Sequence, residues 1–546
     1  MEKTAQLCAE THISRALVVD GSGAPGYVAD VVLKNGVIES LLQAGTLVAT
    51  LGVEFIDATG LVLSPGFIDM HAHSDLQLFL NPEHLAKLSQ GVTTELLGQD
   101  GLSYAPIDDA TLDGVRQKIA GWNDNPADFD FNWRTVGEYL DRLDTGIATN
   151  AAYLIPQGTV RAMVMGFGDG AADSTAIATQ QAVIRQAMED GAVGMSSGLT
   201  YTPGMYASTE ELAQLCSVVG ELGGFYAPHH RSYGKGALEA YDEMIELSRE
   251  TGCALHLSHA TMNFAPNKGR APELLGLIDR ALNDGVDITL DTYPYLPGAT
   301  TLSAILPSWA SAGGGDATLA RLQDPHTLAQ IRENVEIYGS DGCHGVAAEW
   351  ETLEISGVQN PELDSLVGQT VAGIAEATGV EPFDVFVDIL VRDKLGTGIL
   401  QHVGHEENVQ AIMVHRTHCG GSDGILVGAK PHPRAWGTFP RFLGHYSRAL
   451  GLLSLEDMVH HLTGRPAARL KLHQRGLVQA GYAADLVLFN PDTIADTATF
   501  QNPRQTATGI HYVFINGVAA IHAGEPTGAL AGRALRRTLE GTRAIS

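Results

Sequence analysis

The stretch Pro65-Gly66-Phe67-Ile68-Asp69-Met70-His71-Ala72-His73 decides the fold. An apolar run of strand type ends there in two histidines two residues apart, and successive side chains of a strand alternate faces, so both imidazoles point to the same side. Facing inward at the mouth of a barrel of parallel strands, they could share a metal. Among 21 histidines such a pair also arises by chance. A pair of surface histidines is the plainer alternative, and later strand ends decide between the two.

Two further apolar runs end in histidine: Phe225-Tyr226-Ala227-Pro228-His229 and Leu255-His256-Leu257-Ser258-His259. Imidazole suits zinc and related borderline metals, and a catalytic site draws ligands from several strand ends while leaving one position for water. Strand alternation turns the neighbours His230 and His256 away, so both read as packed or hydrogen-bonded residues. Cys419-Gly420-Gly421-Ser422-Asp423-Gly424 places Asp423 at one more strand end, among small residues. By itself an Asp-Gly is a turn. Following a series of candidate ligands, the carboxylate reads as a group that takes the proton of a metal-bound water and returns it to a leaving nitrogen.

Working outward, strand-like runs alternate with amphipathic helical stretches such as Glu210 to Leu222, the pattern of βα units. Eight strands ending near His73, Gly98, Gly158, Gly198, His229, His259, Tyr293 and Asp423 predict an α/β fold, a (β/α)8 TIM-like barrel over residues 66–474. Roughly a hundred residues separate the last two strands, too many for a connection, which predicts an inserted subdomain over about 301–400. Gly313-Gly314-Gly315 marks a mobile connection there. Both chain ends carry short β-like runs with Asn-Gly turns, Val31 to Gly36 and Val513 to Gly517. Neither end is large enough to fold alone, so residues 1–65 and 475–546 are expected to build one small β-sandwich together.

The chain has 34 Lys and Arg against 63 Asp and Glu, a formal net charge of −29 that opposes nucleic-acid and anionic-membrane partners. Met1 to Cys8 lacks the basic start and apolar run of a secretory signal, and no apolar stretch reaches membrane-spanning length. Cys8, Cys216, Cys253, Cys343 and Cys419 form no CxxC pair, which disfavours a disulfide framework and fits a reducing cytoplasm. The expected partner is a small-molecule amide; a homo-oligomer is left open.

Several longer motifs resemble the N-acyl-D-amino-acid deacylase (D-aminoacylase) branch of the amidohydrolase superfamily. They are Gly66 to His73, Gly91-Val92-Thr93-Thr94, Ser197-Gly198-Leu199-Thr200-Tyr201-Thr202-Pro203-Gly204, Asp291-Thr292-Tyr293-Pro294-Tyr295 and His432-Pro433-Arg434-Ala435-Trp436-Gly437-Thr438-Phe439-Pro440. The likeness runs over nearly the whole chain, through Ala484-Asp485-Leu486-Val487 and Asn516-Gly517. It implies hydrolysis of an N-acyl-D-amino acid, with His71 and His73 at one metal position, His229 and His259 at the other, and Asp423 as acid/base. Tyr201, Tyr293 and Arg434 match positions that hold the substrate carboxylate. The implied cofactor is a divalent metal, one or two ions, with zinc first and manganese, cobalt or iron as alternatives.

The sequence departs from that branch at its bridging ligand. Where the family commonly has a cysteine in an Asn-Cys-Gly setting, Gly98-Gln99-Asp100-Gly101 stands here, so Asp100 is the expected bridge, with Glu95 in reserve. Carboxylate is a harder ligand than thiolate and favours harder metals. No lysine stands at the fourth strand end, which disfavours a carboxylated-lysine bridge. The family's pocket lysine and serine are Thr261 and Ala299 here, with Lys268 near enough in sequence to compensate. Those losses keep open a substrate without an α-carboxylate, a linear or cyclic amide.

Overall fold

The computed structural model describes residues 10–538 and 541–544. The central sheet holds eight parallel strands: β1 (Phe67–Asp69), β2 (Val92–Leu97), β3 (Asn150–Pro156), β4 (Gly194–Gly198), β5 (Phe225–His229), β6 (Ala254–Leu257), β7 (Ile288–Thr292) and β8 (His418–Gly420). They neighbour one another in sequence order. The seam between β8 and β1 is closed by Met70 N–H donating to the Gly420 carbonyl at 3.1 Å and Asp423 N–H to the His71 carbonyl at 2.8 Å. Every residue of β1 to β5 is buried, because helices cover the outside and side chains fill the inside.

Some crossover helices begin where a side chain satisfies a free N–H group of the first turn. The helix Thr209–Glu221 starts at Ser208, whose hydroxyl accepts from Glu211 N–H, and buries Leu212, Leu215, Cys216, Val218 and Val219. Its ends fall one residue before the expected Glu210 and Leu222. The helix Val136–Leu143 opens with a capping box of Thr135 and Glu138.

Between β7 and β8 the chain builds a three-stranded antiparallel sheet, with Gly398–Gln401 between Gly298–Thr301 and Leu353–Gly357. It has a separate apolar core that includes Leu302, Ile331, Ile355, Phe386, Ile389 and Ile399. Gly313 and Gly314 both adopt left-handed φ, 88° and 89°, and Gly315 starts the helix Gly315–Gln323. The glycine run is thus the sharp entry to a helix.

Both chain ends meet in one nine-stranded sheet. Tyr27–Lys34 and Val37–Gln43 form the first hairpin around Asn35 (φ 51°) and Gly36 (φ 83°), as the Asn-Gly pair predicts. Val62–Pro65 pairs with Leu486–Phe489, Ser64 opposite Val487, and so joins the two ends. The expected sandwich is a single continuous sheet whose two arms share a core: Ile13, Val31 and Leu33 pack in one cluster with Leu486, Leu488 and Phe514. Val62, Val487 and Phe489 from the other face pack with Phe67 and Phe439 of the barrel.

Among the described residues no helix is long and apolar enough to cross a membrane. Cys216, Cys253, Cys343 and Cys419 are buried and free. Cys8, with the Met1 to Cys8 stretch, lies outside the described residues.

Candidate active site

At the carboxyl ends of the strands, where parallel barrels carry their chemistry, six side chains converge. His71 and His73 follow β1, Asp100 follows β2, His229 ends β5, His259 follows β6, and Asp423 follows β8. Ligand atoms of His71, His73, Asp100 and Asp423 lie within 4.8 Å of one another, as do those of Asp100, His229 and His259. Asp100 is common to both groups. Its Oδ1 is 3.5 Å from His71 Nε2 and 3.4 Å from His259 Nε2, and its Oδ2 is 3.6 Å from His73 Nε2 and 3.5 Å from His229 Nδ1.

Local backbone conformation makes this convergence possible. Asp100, His259 and Asp423 all have left-handed φ, 56°, 31° and 47°. Each such residue costs about 1–2 kcal/mol, and the surrounding structure holds all three. The Asp100 loop lies directly on the end of β4: a Cβ on Gly198 would sit 2.1 Å from the Asp100 carbonyl oxygen. Only glycine at Gly198 permits that approach.

Hydrogen bonds on the far side of the rings fix which nitrogens face the cluster. His229 Nε2 meets the Thr200 hydroxyl at 2.6 Å, and His259 Nδ1 meets the Tyr233 hydroxyl at 3.0 Å. This leaves His229 Nδ1 and His259 Nε2 turned toward Asp100 and 3.1 Å apart. Hydroxyl partners of this kind set imidazole tautomers at metal centres. Both His71 nitrogens and Asp100 Oδ1 are buried without a hydrogen-bond partner among the described residues. Buried polar atoms without partners are costly. A cation among four imidazoles and two carboxylates would satisfy His71 Nε2 and Asp100 Oδ1, which face the cluster, while His71 Nδ1 faces Asp291 Oδ2 at 3.8 Å; zinc, manganese, cobalt and iron all accept such donors.

The electrostatics fit the same reading. Burial raises the Asp100 carboxyl, but His71, His259 and His229 outweigh it and hold Asp100 well below the usual carboxylate range. Asp423 is likewise raised by burial and lowered more strongly by Arg434, His71 and His73, so it stays ionised. Its Oδ1 lies 3.2 Å from His73 Nε2, and its Oδ2 pairs with Arg434 at 2.8 Å.

Arg434, Tyr201 and Tyr293 also reach the site. Arg434 is fully buried, its guanidinium 4.4 Å above the Tyr293 ring, with its charge directed at Asp423. Tyr201 donates to or accepts from the Thr300 hydroxyl at 2.9 Å and packs on Trp122, which in turn packs on His73. A cleft opens over the cluster. Its lining includes Tyr201, Tyr293, Thr261, Ala299, Phe264 and His344. Burial, with His229 nearby, pushes His344 down to about 3, so this wall is neutral at pH 7. Lys268 is exposed and does not line the cleft, so it does not compensate for Thr261.

Glu95 is not part of the cluster. It turns away to accept from the Ser74 and Thr149 hydroxyls at 2.7 and 2.8 Å, with His84 Nε2 at 2.7 Å and Lys87 Nζ at 3.5 Å. Burial raises its carboxyl, but His84 and Lys87 prevail and bring it from the usual 4.5 to about 2. A depressed carboxylate stabilises the fold above its unfolded pKa and loses that contribution as pH falls through the folded value. Glu95 therefore contributes about 3 kcal/mol above pH 4.5, lost progressively toward pH 2. We expect Glu95→Gln to flatten the dependence of unfolding free energy on pH across that window in urea titrations; an unchanged slope would refute the assignment.

Three supporting residues escaped the sequence reading. Thr200 and Tyr233 orient the His229 and His259 rings, as above. Asp291 accepts from His259 N–H at 3.0 Å and pairs with His256 Nε2 at 2.9 Å. Its signal was present, an acidic residue inside the apolar β7, where a carboxylate must have partners. His256 is accordingly a hydrogen-bonded residue, and His230 packs between the Tyr233 and Tyr241 rings; neither joins the cluster.

Residues 54–521 match the amidohydrolase family. D-aminoacylase of Alcaligenes xylosoxydans xylosoxydans is 36% identical over 522 residues, 95% of this chain and 96% of that one. N-acyl-D-aspartate deacylase of the same organism is 33% identical over 519 residues, 95% of this chain and 93% of that one. A crystal structure of N-acyl-D-glutamate deacylase from Bordetella bronchiseptica holds zinc and a phosphonate that mimics the tetrahedral intermediate. It superposes with a TM-score of 0.82 at 30% identity, covering 96% of this chain and 99% of that one.

Proposed function

The chain belongs to the amidohydrolase family, and from that premise we propose that it hydrolyses the amide bond of N-acyl-D-amino acids or close analogues, releasing a carboxylate and a free amine. The observation that carries this reading is an ionised Asp423 at the floor of a cleft, between His73 and Arg434 and beside the shared carboxylate of Asp100. His71, His73, His229 and His259, with Asp100 between them, would hold one or two divalent metal ions. Such an ion supplies Lewis acidity toward the amide carbonyl and lowers the pKa of water.

The remaining steps fall to the protein. Asp423 accepts the proton of the attacking water at Oδ1 and delivers it to the leaving nitrogen, while Arg434 keeps Oδ2 fixed. Tyr201 and Tyr293 contact the substrate from the cleft wall, and Arg434 offers the remaining guanidinium edge to the substrate carboxylate. Asp100 as the shared ligand brings manganese, cobalt and iron into competition with zinc. The charge of −29 and the absence of a CxxC pair support a cytoplasmic enzyme without nucleic-acid partners. The purified protein, reloaded with each of these metals, should hydrolyse members of a panel of N-acetyl-D-amino acids and leave the L-enantiomers. No turnover of any D-substrate with any metal would end this reading.

A second reading is favoured by Thr261 and Ala299 in the cleft wall and by the pairing of Arg434 with Asp423. Under it the substrate is an amide without an α-carboxylate. The two separate on one ratio, kcat/KM for N-acetyl-D-leucine over that for N-acetyl-D-leucinamide. If Arg434 holds the carboxylate, Arg434→Ala lowers the ratio about 10- to 100-fold, the worth of a charge-assisted hydrogen bond. A ratio near or below one in the wild type, unmoved by the substitution, selects the second reading.

A further inference from the structure

Beneath the candidate site lies a buried ionic cluster that the chemistry above does not use. Lys87 stands on the short helix Leu85–Leu88, and its side chain is wholly buried. Its ammonium group donates to Asp69 Oδ2 at 2.5 Å and to Ser422 Oγ at 2.8 Å, and lies 3.5 Å from Glu95 Oε2. Burial favours the neutral amine, but the two facing carboxylates outweigh it and keep Lys87 charged. Asp69, Glu95 and Ser422 are fully buried as well.

Two of the three partners of this lysine, Asp69 and Ser422, lead to the backbone that carries Asp423 or His71. Asp69 Oδ1 accepts from His71 N–H at 3.1 Å and from Ser422 N–H at 2.8 Å. The Ser422 hydroxyl donates to Asp69 Oδ2 at 2.6 Å while accepting from Lys87 and, at 3.0 Å, from Gly424 N–H. Asp423 N–H donates to the His71 carbonyl at 2.8 Å. The N–H groups of residues 422 and 424 are thus held by one cluster centred on Lys87, and Asp423 between them, whose own N–H is held by the His71 carbonyl, has the left-handed φ of 47°. The same segment reaches the helix that presents Arg434. The Gln90 side chain donates to the Ala435 carbonyl at 2.9 Å and accepts from Phe439 N–H at 3.3 Å. A Cβ on Gly424 would meet Ser422 Oγ at 2.8 Å and Lys87 Nζ at 3.3 Å, which shows how closely the turn is packed on the ammonium.

We propose that Lys87, acting through Ser422 and Asp69, is a positioning residue for the hydrolysis. It clamps the seam between β8 and β1 so that the Asp423 carboxylate stands at a fixed distance from the ring of His73. Lys87 touches neither substrate nor metal. Its contribution is the placement of a proton-transfer group, to which rates are steeply sensitive: a displacement of about 1 Å costs on the order of 100-fold. The inference rests on the acid/base role given to Asp423 above.

The test compares wild type, Lys87→Met, Ser422→Ala and the double variant Lys87→Met with Glu95→Gln. Wild-type turnover of an N-acetyl-D-amino acid is established first, so the functional reading stands or falls on its own. Steady-state kinetics, metal content by elemental analysis and Tm are then measured on each variant. Ser422→Ala removes the link to the Asp423 turn and keeps the Lys87–Asp69 pair. It should lose about 10-fold or more in kcat, with KM and metal content unchanged and Tm within about 3 °C of wild type. Lys87→Met should lose about 100-fold in kcat as well as Tm. The double variant removes one of the two carboxylates that lose the ammonium, Asp69 keeping its charge, and should regain part of the Tm without regaining kcat. Wild-type kcat in Ser422→Ala, or a kcat that returns together with Tm in the double variant, would overturn the proposal and leave Lys87 with a purely structural role. A loss confined to KM or to metal content would overturn it too.

Discussion

Asp423→Asn is expected to lower kcat about 1,000-fold, within the span attributed to a well-placed general acid/base, while the protein still takes up metal. Asparagine keeps the shape of the side chain and removes its ability to carry a proton. The four imidazoles and Asp100 remain to hold a cation, since His71, His229 and His259 face Asp100 more closely than they face Asp423. A stability loss accompanies the kinetic one, because Arg434 is fully buried and Asp423 supplies its counter-charge. Removing one member of a buried pair costs about 3–5 kcal/mol. Kinetics should therefore be measured well below the variant's Tm, with metal content on the same sample. Wild-type kcat in a folded, metal-loaded Asp423→Asn would remove Asp423 from the chemistry.

Asp100→Ala should weaken metal binding by more than about 100-fold, beyond what loss of a supporting hydrogen bond does at metal centres. Among the described residues no other approaches all four histidines: both its oxygens lie 3.4 to 3.6 Å from imidazole nitrogens on opposite sides of the cluster. Without it, His229 and His259 face each other across 3.1 Å with no carboxylate between them and the pair on β1. Competition with a fluorescent chelator reads the affinity directly, independent of any substrate. Unchanged affinity and stoichiometry would show that the ion sits elsewhere.

The parts of this molecule that were legible in the sequence share a physical property: their signal is local. His71, His73, His229 and Asp423 were visible because each closes an apolar run, and a strand's end is where its side chains leave the core. The hairpin at Asn35 and Gly36 was visible because left-handed φ at two adjacent positions selects those residue types. Lys87 and Tyr233 were not visible, since nothing in their own segments shows what they meet. Lys87 and Ser422, 335 positions apart, are joined by a hydrogen bond that exists only after the barrel closes. Arg434 was identified as a pocket residue, but its pairing with Asp423 depends on how the helix Arg434–Arg441 packs on β8 and could not be read from the motif. The two arms of the terminal sheet were foreseen, but their continuity through Val62–Pro65 was not.

The pairing of Val62–Pro65 with Leu486–Phe489 sets an order on the birth of the enzyme. The strand that leads directly into His71 must wait for a partner about 420 residues downstream. At ~10 residues per second that delay is on the order of 40 seconds. Throughout it the segment entering the barrel has one edge unpaired, and Gly66 N–H, which donates to the Asp485 carbonyl in the finished protein, has no acceptor. An unpaired apolar edge is a site of misassociation while synthesis continues. The joint that anchors the strand leading into His71 is thus among the last contacts available to the nascent chain. Competence for chemistry arrives late, when the two distant arms of the sheet have found each other.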